Sequence, residues 1–201
     1  MNGTEGIRTK KDWSDLTWKP LTEENWPEFE NLFGTNGACG QCWCMNHRLP
    51  KKEFEGGKKD GVNRRRMKDL ADKRADTGLL FYSQGEVVGW MAMAPREDFR
   101  RLEASRIHKP IDDTKVWSLP CTFIAKEHRR TGLSYHMIRG AMEYARMNDI
   151  AVLEAYPIKT GVETQPAVFL WVGIYESFVK AGFEVVDEKS PKRPMMRCYI
   201  N

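Results

Sequence analysis

The sequence contains no apolar run approaching the roughly 18 residues that a membrane-crossing helix needs. Its longest stretch of interest runs from Ala167 to Tyr175. The first residues, MNGTEGIRTKKDW, are polar and show no secretory signal. Neither sign of charge dominates: 32 basic and 28 acidic residues leave a net charge of +4. That balance alone falls short of a nucleic-acid-binding signature. Cysteine is scarce and odd in number, with five in the chain. Cys39, Cys42 and Cys44 crowd together too closely to pair among themselves, and Cys121 and Cys198 lie in apolar, strand-like runs. This pattern excludes a secreted disulfide framework and suits a reduced, cytoplasmic protein. No repeat, low-complexity tract or linker divides the chain.

What remains is a globular composition, with 41% hydrophobic and 30% charged residues in a chain of 201. Such a length forms one domain with a sizeable core. We expect that domain over residues 16–201, preceded by a loosely held arm over residues 1–15.

Periodicity gives a mixed α+β order. Leu16 to Leu21 reads as a short first strand. Thr22, followed by Glu24 and then Phe29, Leu32 and Phe33, predicts a capped helix ending near Gly34. A glycine- and cysteine-rich loop extends to about Pro50. Residues 60–76 predict a charged helix with Val62, Met67, Leu70 and Ala71 on its apolar side. The period then shortens. Residues 79–83 and 87–94 are strand-like and separated by Gln84-Gly85-Glu86, a hairpin turn. The second of these strands is apolar on both faces and therefore central in a sheet. A charged stretch from Pro95 to Lys115 leads to another strand, 116–125, in which Pro120 must sit at a bulge or an interrupted edge. After Gly132, Leu133, Met137, Ile138, Ala141, Met142 and Ala145 share one helical face. A strand over 150–156, a helix through Trp171, Ile174, Tyr175 and Phe178 that stops at Gly182, and strands over 183–188 and 195–200 complete the chain.

The chemistry concentrates in Ile124 to Ser134, where a buried strand meets an amphipathic helix. Backbone N–H groups at a helix start, with the positive end of the dipole, form an anion site. Arg129 and Arg130 add fixed positive charge, and a pyrophosphate-bearing ligand is the natural guest. R-x-x-G-x-S alone is equally explained by a plain strand–loop–helix with surface arginines.

In context, the segments GWMAMAPREDFRRLEASR, DDTKVWSLPCTFIAKEHRRTGLS, EYAR, LEAYP, FVKAGF and SPKRPMMR, together with the earlier CWCM, resemble a bacterial branch of the GNAT superfamily of N-acetyltransferases. The likeness is best from Leu79 to Arg197. It implies a mostly antiparallel twisted sheet, splayed at its centre between strands 116–125 and 150–156, with helices on both faces. It implies acetyl-coenzyme A in that cleft as co-substrate. The backbone of Thr122, Phe123 and Ile124 would pair with pantetheine, and that of Arg129, Arg130, Thr131, Gly132, Leu133 and Ser134 would cradle the pyrophosphate. The family pattern ends in Gly or Ala where this chain has Ser134. Dimers are common in the family, so a homodimer is allowed. The loop between the first two helices overlies the substrate end.

The reaction so implied is direct transfer to a primary amine of a small molecule or peptide in a ternary complex. An alkylammonium has a pKa of about 10.4 and must lose its proton to a base or a water chain. Many relatives place a tyrosine acid four residues before the Gly-Phe that ends the last helix. Here that position is Phe178, and Tyr175, one turn earlier, is the candidate acid; its alternative is a partly buried core aromatic. Glu154 is the candidate base, because it interrupts an apolar strand beside the splay; its alternative is a strand carboxylate facing solvent or pairing with an arginine.

Two other readings compete. Cys39-x2-Cys42-x-Cys44-x2-His47 offers soft ligands for zinc, but the chelate is cramped and has no second clustered pair, so we expect no metal and a loop that either lines the acceptor pocket or simply packs. The basic runs Lys51-Lys52 and Arg64-Arg65-Arg66 would need exposed aromatics nearby to bind nucleic acid, and Trp26 and Trp43 fit packing better. An acyl-coenzyme A-binding domain with weak or no catalysis stays open because of Phe178.

Overall fold

The computed structural model describes residues 11–74, 76–159 and 171–200. Seven strands form one sheet: β1 (Thr17–Pro20), β2 (Gly78–Ser83), β3 (Glu86–Pro95), β4 (Trp117–Ile124), β5 (Val152–Ala155), β6 (Glu184–Asp187) and β7 (Met195–Tyr199). Their order is β1-β2-β3-β4-β5-β7-β6. Every pairing is antiparallel except β4 with β5. The helices are α1 (Trp26–Phe33), α2 (Lys51–Gly56), α3 (Val62–Lys73), α4 (Arg100–Glu103), α5 (Leu133–Met147) and α6 (Tyr175–Ala181).

The β2–β3 hairpin turns through Gln84 and Gly85, both at positive φ, as a two-residue turn between right-twisted strands requires. Strand β3 is apolar on both faces, and it separates two cores. Met91 and Met93 pack with α5 and α6 on one face; Trp90, Ala92 and Ala94 pack with α1 and α3 on the other. Leu133, Met137, Ile138, Ala141, Met142 and Ala145 all lie buried along α5. Burying each large side chain of that face is worth about 1.5–3 kcal/mol. Gly140 lets α5 approach the sheet, since a Cβ there would meet Phe81 Cε1 at 2.8 Å.

Two expectations about helix bounds are corrected. Helix α1 starts at Trp26, not after Thr22, because Pro27 sits in its first turn and needs no N–H partner there. The Asn25 side chain instead accepts from Thr22 N at 2.8 Å and donates to Pro20 O at 2.9 Å. Trp171 and Ile174 precede α6 rather than belonging to it. Of the segment expected as an arm over residues 1–15, only the described part is placed: Trp13 is buried against the first core, and Asp15 accepts from Ser83 Oγ and Gln84 N at 2.9 Å each. Residues 1–10, and residues 167–170 of the apolar stretch, lie outside the described residues.

Candidate active site

Strands β4 and β5 pair only at Trp117–Leu153, Ser118–Glu154 and Leu119–Ala155. The next residue of β4 is Pro120, which has no N–H to offer a ladder. It lies in a bulge, because Ala92 opposes Cys121 while Ala94 opposes Ser118, leaving Leu119 and Pro120 against Met93. Strand β4 continues along β3 to Ile124, whereas β5 stays with β7. The two parallel strands therefore part after Leu119 and Ala155. Thr122, Phe123 and Ile124 keep β3 on one side and have no strand partner on the β5 side among the described residues.

Beyond β4, a short turn leads into α5. Arg130 (φ 64) and Gly132 (φ 89) are both left-handed, and a Cβ on Gly132 would meet nothing within 4 Å. Among the described residues, no side chain caps the start of α5, so the N–H groups ahead of Tyr135, whose own N–H turns back to Gly132 O at 3.2 Å, are available to an anion. Arg129 is fixed in place: its Nε donates to Ile124 O at 2.9 Å and its guanidinium lies 5.6 Å from the centre of the Phe123 ring. Thr131 Oγ1 donates to His128 O at 2.6 Å. Trp13 braces the turn from outside, donating from Nε1 to Thr131 O at 3.3 Å and meeting His128 edge-on at 5.5 Å. The residues expected at a pyrophosphate site, Arg129 to Ser134, thus form one continuous turn and helix start.

At the vertex of the splay, the structure builds a buried polar network that the sequence only partly announced. Glu154 is wholly buried. Its Oε1 accepts from Arg96 Nη1 and from the Tyr156 hydroxyl, and its Oε2 accepts from Arg197 Nε at 2.8 Å. Arg96 also donates to Tyr156 Oη at 2.7 Å, to Glu103 at 2.9 Å and to His108 O. Arg197 donates to Asp112 at 2.7 Å, which draws the Asp112 carboxyl down to about 2. Ser118 Oγ lies 2.8 Å from Tyr156 Oη. The phenol has one proton and gives it to Glu154, so Ser118 is the donor of that bond. Burial, and then the Glu154 charge, hold the Tyr156 phenol well above its ordinary range.

This arrangement shows what Glu154 touches. Both of its oxygens are engaged by guanidinium groups, so its acceptor positions are occupied by Arg96, Arg197 and Tyr156. Of the two sequence alternatives, the structure shows pairing with arginine. Ser118, Glu154 and Arg197 form one polar rung across β4, β5 and β7.

His108 closes the network. Its ring packs on Tyr156 at 4.9 Å, and its Nε2 lies 3.0 Å from Arg193 O. A carbonyl only accepts, so Nε2 carries the proton and Nδ1 keeps its lone pair. Burial lowers the pKa of this imidazole and keeps it neutral.

Tyr175 opens α6, and its backbone N–H donates to Ile158 O at 3.0 Å, on the open side of β5. Its ring is half-buried against the first core, with Lys159 Nζ 4.8 Å from the ring centre. Phe178 is fully buried and packs edge-on against Phe183 at 5.1 Å.

The cysteine loop packs in the second core with residues of β3 and β4. Cys44 accepts from Trp90 Nε1 at 3.1 Å, in the second core against which Cys121 of β4 packs. Cys39 is exposed, and burial raises the Cys42 thiol to about 11. Among the described residues, no three His, Cys, Asp or Glu side chains are placed to hold a metal. Trp26 and Trp43 stack within a buried aromatic cluster with Phe29 and Phe33 rather than flanking the basic runs.

Residues 43–171 match the acetyltransferase (GNAT) family. No curated protein matches the chain. Among solved structures, a GNAT-family acetyltransferase from Streptococcus agalactiae is similar, with 11% identity, coverage of 94% of this chain and 96% of that one, and a TM-score of 0.54. One from Listeria monocytogenes shares 14% identity over 92% of this chain and 94% of its own, with a TM-score of 0.52. The structure of PH1933 from Pyrococcus horikoshii shares 13% identity over 92% and 99%, with a TM-score of 0.51. At these identities the likeness shows the fold.

Proposed function

The chain belongs to the acetyltransferase (GNAT) family, and we propose that it moves the acetyl group of acetyl-coenzyme A to a primary amine by direct transfer in a ternary complex. The observation that carries this reading is the parallel pair that parts after Leu119 and Ala155, beside an uncapped helix start. The residues fit the co-substrate. The open edge of Thr122 to Ile124 offers backbone groups to an extended amide chain, much as an added strand would use them. The turn from Arg129 to Ser134, with the open space over Gly132, suits a pyrophosphate. Bound acetyl-coenzyme A would supply the thioester that the amine attacks.

The chain's own residues then divide the proton work. His108, neutral and with Nδ1 unprotonated, is placed at the vertex to accept the amine's proton. Glu154 holds Tyr156 and Arg96 in position and is therefore a positioning residue. Tyr175 stands on the open side of β5 as the acid for the departing thiolate. Holding amine and thioester together makes the step effectively unimolecular.

The competing reading, an acyl-coenzyme A-binding domain with little catalysis, draws on the buried Phe178. Thiol release from acetyl-coenzyme A with a panel of primary amines separates the two. Release that depends on the amine, together with an acetylated amine product, is expected. Saturable coenzyme A binding with no amine-dependent release would overturn the proposal in favour of the binding domain.

A further inference from the structure

One half-buried cation near the vertex keeps two buried donors unmatched among the described residues. Arg193 lies in the loop between β6 and β7. That loop is tied to the exit of β5 through Lys159 N, which donates to Lys192 O at 2.9 Å, and to the vertex through His108. The Nε and Nη2 atoms of Arg193 are buried and make no hydrogen bond to any described residue. Burial alone pushes its pKa down. A guanidinium desolvated in this way is unfavourable unless an anion completes it.

The two orphaned atoms specify what is missing. Nε–H and Nη2–H form one edge of the planar guanidinium, and that edge matches the two oxygens of a carboxylate. His47 is the second, independent sign. It sits in the cysteine loop and is almost wholly buried, with neither ring nitrogen hydrogen-bonded among the described residues. Its ring lies 5.3 Å from that of Trp171. Burial first, and then the charges of Arg193, Arg101 and His108, push its pKa down to about 3. It is therefore a neutral ring with one N–H to give, in a positive field. The other cations near the vertex are engaged: Arg96 with Glu154 and Glu103, Arg197 with Glu154 and Asp112, and Arg101 with Asn46.

We propose that the acceptor amine carries a carboxylate, which the free edge of Arg193 receives, with His47 donating the further hydrogen bond. This rests on the acetyltransferase reading and narrows its substrate to amino acids or other carboxylate-bearing amines. It also gives the cysteine loop a purpose, since that loop delivers His47 to the acceptor end.

The test has two arms. In the first, carboxylates that cannot be acetylated (acetate, succinate) are titrated into the coenzyme A-loaded protein and melting is followed. Wild type should be stabilised in a saturable manner and Arg193→Gln should not. Arg193→Gln without ligand should melt no lower than wild type, because two buried, unmatched donors of a half-buried cation have been removed. In the second arm, thiol release is compared for matched pairs such as γ-aminobutyrate against n-butylamine and lysine against cadaverine. The carboxylate member of at least one pair should have the higher kcat/KM, by on the order of 100-fold, the size expected when a charge-assisted hydrogen-bond pair is made or lost. Arg193→Gln should erase that preference through KM. No carboxylate stabilisation in wild type, equal use of both members of every pair, or an Arg193→Gln variant that loses coenzyme A instead of the carboxylate preference would each overturn the proposal. Absence of thiol release with every amine, alongside carboxylate stabilisation lost in Arg193→Gln, would reject the acetyltransferase reading while supporting the anion site.

Discussion

Replacing Glu154 by Gln separates a positioning carboxylate from a catalytic base. The substitution keeps the volume and one carbonyl oxygen, and exchanges the other oxygen for an NH2 group. Glu154 accepts from Arg96, Arg197 and Tyr156 and is wholly buried. In the variant, one guanidinium must face another donor, and two buried cations lose their shared anion. Breaking a buried ion pair by removing one partner costs about 3–5 kcal/mol. The lower end applies here, because Arg197 keeps Asp112 and Arg96 keeps Glu103 and the His108 carbonyl. For a domain of this size, each kcal/mol shifts Tm by roughly 2–4 °C, so a loss of about 3 kcal/mol lowers Tm by roughly 6–12 °C. Calorimetry at neutral pH reads this directly, and initial rates on the same preparation read activity. A variant with a Tm within about 2 °C of wild type and no turnover would refute the reasoning, since it is the behaviour of a base in a tolerant site.

Other substitutions probe the remaining parts. Tyr175→Phe removes the proposed acid and should lower kcat by roughly 10²-fold with little change in Tm, as for loss of a positioned proton donor; an unchanged kcat would end its candidacy. Gly132→Ala places a side chain at φ 89, costs about 1–2 kcal/mol of backbone strain, and should weaken coenzyme A binding in a calorimetric titration more than it lowers Tm. Stability should also fall in acid on account of His47. Below its ordinary 6.5 the unfolded chain takes up a proton that the folded ring refuses until about 3. The unfolding free energy from denaturant melts should therefore decline across that window, by up to about 1.4 kcal/mol per pH unit. His47→Leu should flatten this slope, and an unaltered slope would contradict a buried neutral ring.

Much of the sheet was legible because strands and helices write different periods. The apolar runs at 87–94 and 116–125 announce central strands, and β3 and β4 lie there. Pro120 announces a break in the ladder, and the bulge beside it is where the sheet opens. The polar network was less visible, because its members meet only through register. Ser118, Glu154 and Arg197 each stand alone in an apolar run. Three lone polar residues on central strands were a signal, but only pairing of β4 with β5 and of β5 with β7 sets them side by side. Arg96 and His108 come from a charged stretch that carries no period at all. In the sequence, His47 reads as a possible ligand beside cysteines; the structure places it instead in a field of arginines. Trp13 reads as part of a loose arm, since nothing local shows that it docks on Thr131, far along the chain.

The most direct test of the central claim is a structure with coenzyme A bound. The account predicts pantetheine along Thr122 to Ile124 between β4 and β5, pyrophosphate against the N–H groups of Arg129 to Ser134, and the sulfur at the vertex near Tyr156 and His108. Coenzyme A lying outside this splay, or leaving the turn before α5 untouched, would contradict it.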